Sequence, residues 1–159
     1  MSAKHCIIRA DDMDAMPEQR LSHPLDEQAV RHTRSLGDAT GLTRVGVHVV
    51  RVPPGGLTTV KHRHAFVDEF IYILEGEASV ELDAASHVVR AGDFIGLPAH
   101  GPAHAMRNTG TGELRYLVGG TRPEFDVCDY PDKGCRLYLS VHGAQRHRDF
   151  VATDDVDRR

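Results

Sequence analysis

The chain has 159 residues, with 19 basic and 23 acidic side chains and a formal net charge of −4. That balance gives no basic footprint for nucleic acid and no Lys/Arg-rich helix for a membrane surface. No apolar run reaches the roughly 18 residues of a transmembrane helix, and the length suits one domain with one core.

The opening residues MSAKHCIIRADD contain no apolar stretch of signal-peptide length, so a soluble cytoplasmic protein is expected. Residues 1–41 are polar and weakly patterned, and read as an irregular N-terminal arm. Asp26 to Ser35 could form a turn of helix, without a strong apolar stripe. From Leu42 the pattern changes. LTRVGVHVVRV is valine-rich and short enough for a strand, closed by Pro53-Pro54-Gly55-Gly56. TTVKHRHAF, DEFIYILEG and EASVELDA read as three further strands, with Gly76 at the hairpin turn between the last two. SHVVRAGD, DFIGLPAH, HAMRNTG and GELRYLVGGTR continue the series. Turn residues recur every 8–12 positions, and nothing in 42–122 has a helical period. Such a chain predicts an all-β fold, an antiparallel sandwich or barrel. The run Asp126 to Asp132 reads as a looped crossing that closes a barrel mouth or meets a partner. Leu137, Leu139 and Val141 alternate as a final strand. Residues 42–145 form the predicted domain, and 146–159 a frayed polar tail with no catalytic part.

Eleven histidines are the unusual feature of the composition. His62 and His64 lie two apart on a predicted strand, so both side chains share one face, roughly 6–7 Å apart. Glu69 opens the next strand on the face of Ile71 and Ile73, where a carboxylate is costly unless paired or metal-bound. If those two strands are neighbours, Glu69 reaches the histidine pair. His104, with Met106 and Asn108 on its face, would add a fourth ligand from across the interior. Three imidazoles and one carboxylate suit a divalent transition ion and leave exchangeable positions on it.

These residues resemble the motifs of a single-domain cupin. The family's first motif, G(X)5HXH(X)3-4E(X)6G, is met by Gly56, His62, His64, Glu69 and Gly76. Its second, G(X)5PXG(X)2H(X)3N, is met by Gly92, Pro98, His104 and Asn108 with two departures. His100 stands at the motif glycine, with Gly101 next, and the distance from Pro98 to His104 is one residue longer. A one-residue insertion in that turn accounts for both, and the alternative makes His100 the ligand. The resemblance covers about residues 42–122. It implies a double-stranded β-helix (a jelly-roll barrel), with His62, His64, Glu69 and His104 binding Fe, Mn, Zn or Ni. Oxygenase or isomerase chemistry on a small organic molecule is one implied function. A non-catalytic small-molecule binder or sensor is the alternative, because fold does not decide function.

Arg51, His48, Arg107 and Arg115 are candidates for anchoring an anionic substrate, and Met106 for lining its pocket. Tyr72 and Tyr116 are expected to pack with wet hydroxyls. Cys128 lies near carboxylates, which argues against a nucleophilic thiol. No general base outside the ligand set is evident, and no organic cofactor is expected. A homodimer is expected from the long arm and from the exposed edges that sheets leave.

Overall fold

The computed structural model describes residues 6–142 and 145–153. The start of the predicted arm (1–5) and the end of the predicted tail (154–159) lie outside them. Thirteen strands and two short helices, α1 (Ala10–Ala15) and α2 (Leu36–Thr40), make up the described fold.

One sheet has the order β1-β2-β3-β10-β5-β8. It is built from β1 (Gln19–His23), β2 (Asp26–Ser35), β3 (Val45–Val52), β10 (Leu114–Thr121), β5 (Glu69–Glu75) and β8 (Phe94–Leu97). Facing it, β6 (Glu77–Leu82) pairs with β7 (Ala85–Arg90) and β9 (His104–Asn108). A further set has the order β13-β12-β11-β4, from β4 (Arg63–His64), β11 (Phe125–Tyr130), β12 (Cys135–His142) and β13 (Gln145–Ala152). Residues 55–62 join the last two sets. Their backbone bonds β9 through Asn108 N–H to Gly56, Thr58 N–H to Met106 and a reciprocal His62–His104 pair. All pairings are antiparallel. The result is the predicted double-sheet jelly roll.

Period-two alternation places the core. On β5, Ile71 and Ile73 are buried while Tyr72 and Leu74 are exposed. With Val50, Val52, Val80, Leu97, Met106 and Leu114 they fill the space between the sheets. A second small cluster of Val60, Cys128, Tyr130 and Leu137 lies under β12. Two motif glycines have direct reasons. Gly76 turns β5 into β6 at φ 90°, and a Cβ on Gly56 would sit 2.6 Å from a Val52 methyl.

The arm is more regular than its sequence suggested. Asp26 to Ser35 is a strand, not a helical turn, because Ala29, Arg31 and Thr33 turn inward while the backbone pairs with both β1 and β3. Glu18 docks the arm: Arg51 donates to it through Nε and NH2 at 2.9 and 2.6 Å, and Arg34 lies 3.1 Å away. These guanidinium groups hold its carboxyl below the ordinary range, the Arg51 hydrogen bond first. Two other expectations also give way. Phe125 to Tyr130 is a strand rather than a looped crossing, ended by a 3-10 turn at Pro131–Lys133. Residues 145–152 form β13 along β12 instead of a frayed tail. In both cases backbone ladders outweigh local polarity, with β12 for each and with the distant β4 as well for Phe125–Tyr130.

Candidate metal centre

His62 closes the 55–62 segment, where it is bridged to His104 of β9, and His64 ends β4, which pairs with β11. Glu69 opens β5 in the opposite sheet. The expected adjacency of the His62–His64 and Glu69 strands is therefore corrected. His62 is the backbone neighbour of His104, and Glu69 reaches both from across the interior. The parity argument survives this exchange, since all four side chains still point inward.

The donor atoms converge. Glu69 Oε2 lies 3.3 Å from His104 Nε2 and 3.7 Å from His64 Nε2. Ring centroids of His62 and His104 are 4.5 Å apart, and those of His62 and His64 4.9 Å. Donor atoms of His62, Glu69 and His104 all fall within 4.8 Å of one another.

Each ring is held from behind. The Nδ1–H of His62 donates to the Val60 carbonyl at 2.8 Å, and that of His104 to the Pro102 carbonyl at 3.3 Å. His64 Nδ1–H donates to Asp126 Oδ2 at 2.6 Å. A carbonyl or carboxylate oxygen only accepts, so the proton of each neutral ring sits on Nδ1. That leaves the Nε2 lone pairs of His62 and His104 grouped with the Glu69 carboxylate and that of His64 3.7 Å from the same carboxylate, outside the tight group, an arrangement that could hold a divalent ion.

Two of the donors, His62 and Glu69, resist protonation. Burial, then the neighbouring His104 and His64, pushes His62 down to about 3. Burial opposes the charge on Glu69, but the close approach of His104 and of the other nearby imidazoles holds its carboxyl at about 2. His64 is also penalised by burial, yet Asp126 and Glu69 raise it above its ordinary value. Cys128 lies near His62 and His64, and burial pushes its thiol up to about 12. Nitrogen and oxygen donors are thus the ready ones.

A cavity of about 1060 Å³ adjoins this cluster, and Glu69, His64 and Asp126 are among its lining. Residues 48–120 match the cupin domain family. Protein SchB of Streptomyces halstedii is 34% identical over 104 residues, covering 64% of this chain and 71% of its own. A solved structure from Acidithiobacillus ferrooxidans, named as a proposed sugar phosphate isomerase, is 34% identical at a TM-score of 0.91. It covers 97% of this chain and 96% of its own. A second, named a sugar phosphate isomerase of the cupin superfamily, comes from Silicibacter pomeroyi. It is 28% identical at a TM-score of 0.79, covering 90% and 92%.

This chain is a cupin.

The departures in this cupin's second motif have a physical explanation. His100 takes a left-handed backbone, φ 59°, where the motif has glycine. Its side chain is exposed and meets the edge of Phe66, away from the donor cluster. It replaces the glycine's backbone role and is not placed as a ligand. A non-glycine residue there costs about 1–2 kcal/mol, partly offset by the greater entropy a glycine loses on folding, about 0.5–1 kcal/mol. His100→Gly should therefore raise stability by about 0.5–1 kcal/mol, read as a higher urea midpoint at unchanged slope. A lower midpoint would show that the Phe66 contact outweighs the backbone strain.

Asn108 is structural in this cupin. Its amide donates to the Val52 and Gly112 carbonyls at 2.9 Å each and its oxygen accepts from Gly110 N–H. Met106 packs in the core rather than the cavity. Tyr116 is fully packed rather than wet, and burial pushes it up to about 12, whereas Tyr72 is exposed on the outer face. Of the four anchoring candidates only His48 lines the cavity. Arg51 pairs with Glu18 and Glu113, Arg107 donates to Gly55 and Arg115 lies by Glu75. Sequence reasoning missed Asp126 as the clamp on His64. Its one signal was an acidic residue two before Cys128, on what proved to be a strand.

Proposed function

We propose that this cupin binds a divalent ion, Fe, Mn, Zn or Ni, through His62, His64, Glu69 and His104, and acts on a small organic molecule in the adjoining cavity. The observation that carries this reading is the set of Nδ1 anchors. Three rings, each fixed by an oxygen behind it, present bare Nε2 atoms around one carboxylate. Ordinary packing does not require three such restraints to agree. When bound, the ion would supply Lewis acidity to oxygen atoms of the molecule.

The chain's own residues do the rest. Val60, Asp126 and Pro102 hold the ring orientations, and Glu69 supplies the negative charge. Gly120 leaves room above Glu69, since a Cβ there would lie 2.9 Å from Glu69 Cγ. Isomerisation is the reaction we favour over oxygenation. Two relatives similar over nine-tenths or more of this chain carry sugar phosphate isomerase in their names. A homodimer belongs to the same reading, because β1 ends its sheet with an exposed edge. So does a cytoplasmic location, in keeping with Cys6, Cys128 and Cys135 as free thiols. Among the described residues no helix is long and apolar enough to cross a membrane.

Anaerobic native purification with metal identification tests the proposal, followed by a panel of aldose and ketose phosphates, keto acids and phenols. Isomerised product without oxygen uptake is expected. Oxygen consumption coupled to product would move the assignment to an oxygenase. Tight binding with no product on the metal-loaded chain would make it a binding module.

A further inference from the structure

The cavity has a second chemistry, two strands across the sheet from Glu69. Arg31 of β2, His48 of β3 and Arg122 just after β10 line it, with Arg44 and Arg146 at its exposed rim. These residues come from three strands and two connecting segments, so only the fold assembles them.

Their charges are poorly used within the protein. Arg31 is half-buried, and it has no hydrogen-bond or ion-pair partner among the described residues; nor have Arg44 and Arg146. Half-buried guanidinium groups without a partner are costly and suit an incoming anion. Arg122 gives NH1 to Asp38 at 2.6 Å, which leaves Nε and NH2 over Gly46. His48 adds an independent sign. Its Nδ1 is buried with no hydrogen-bond partner. A neutral ring in that setting keeps its proton on Nε2, and Nε2 is the atom that faces the Gly46 floor.

The floor itself is cleared. Glu69 pairs with Gly120, and Gly120 pairs with Gly46, so the three lie in one row across the sheet. A Cβ at Gly46 would stand 3.1 Å from Arg122 Nε and 3.3 Å from His48 Nε2. Two strand spacings separate Glu69 from this end, roughly 10 Å. The row thus runs from a cluster of oxygen-seeking ligands, across bare backbone, to a group of donors.

We propose that this end of the cavity is an anion subsite. Arg31, Arg122 and His48 Nε2–H bind the phosphate or carboxylate of a ligand whose oxygens reach the His/Glu cluster, and Arg44 and Arg146 guide it in. The proposal rests on the cavity being the ligand site of the proposed function, and it names the class of molecule: a small, singly headed anion with oxygen atoms at the opposite end. Neutral sugars and simple phenols lack the group this end would recognise.

The test uses the full chain stripped of metal with EDTA, so that the anion is read apart from any ion. Calorimetric titration with orthophosphate and with malonate should give saturable binding that weakens with salt. The tighter of the two identifies a phosphorylated or a carboxylated ligand. Arg31→Gln should weaken that binding about tenfold, the scale of one charge-assisted contact. Arg146→Gln, on an exposed strand that does not threaten folding, should weaken it about threefold. Arg20→Gln, on the outer hairpin strand, should leave it unchanged. Absence of binding by both anions, equal affinity in Arg31→Gln, or an equal loss in Arg20→Gln would overturn the subsite. None of these outcomes depends on metal uptake, so the two readings fail separately.

Discussion

Replacing His62 and His64 together by alanine should reduce the metal content of natively purified protein to background. The pair contributes two of the four donors, and His62 is also the ring whose backbone joins the 55–62 segment to β9. Because binding to the folded state alone stabilises it, chelation of the parent chain should also lower its melting temperature. An ion present at a hundred times its dissociation constant contributes about 2.7 kcal/mol. For a domain of this size that corresponds to roughly 5–10 °C. The double variant should melt at one temperature with and without EDTA. His62 is buried, so a folding defect is guarded against by Glu69→Gln, which keeps the side-chain shape and removes the charge. Equal metal content in the parent and in both variants would sink the ligand set.

Asp126→Ala should weaken metal binding by roughly 10–100-fold, the usual cost of losing the group that orients a histidine ligand. Asp126 lies behind His64 and touches none of the other donors. Its Oδ2 accepts the Nδ1–H at 2.6 Å and its Oδ1 accepts from the Phe66 N–H at 3.0 Å. Removing the carboxylate frees the ring to rotate and to place its proton on either nitrogen. Asp126→Asn separates the two roles, since its amide oxygen can still accept from Phe66. The asparagine variant should therefore keep most of the stability and lose most of the affinity. Asp129, three residues on, pairs with Arg136 and Arg63 on the other face. Asp129→Asn should leave metal binding unaltered. Competition titration against a chromophoric chelator reads all three. Equal affinities for the parent and both Asp126 variants would remove Asp126 from the site.

The contrast between these aspartates shows why part of the site was legible and part was not. Glu69, His62, His64 and His104 stood out because inward-facing polar residues interrupt apolar alternation, a pattern local to each strand. Asp126 belongs to a run of acidic residues with no such contrast, and only the pairing of Cys128 with His64 turns it toward the ring. The arginines at the far end were missed for the same reason. Arg31 lies in a segment without apolar rhythm, and β2 acquires an inner face only by pairing with β3. Arg51, Arg107 and Arg115 drew attention by sitting in strong strands, yet their parity takes them to the outside.

Local sequence therefore determined which residues of this cupin face inward along each strand, and where turns must fall. Both follow from period-two geometry and from backbone constraints at Gly, Pro and Asp. The tertiary structure decided which strands are neighbours. It set His62 against His104, placed Glu69 across the interior, and lined Glu69, Gly120 and Gly46 in one row leading to the arginines. Those choices depend on pairings between residues far apart in the chain. Their free energy comes from shared ladders and a common core, which no single stretch of sequence contains.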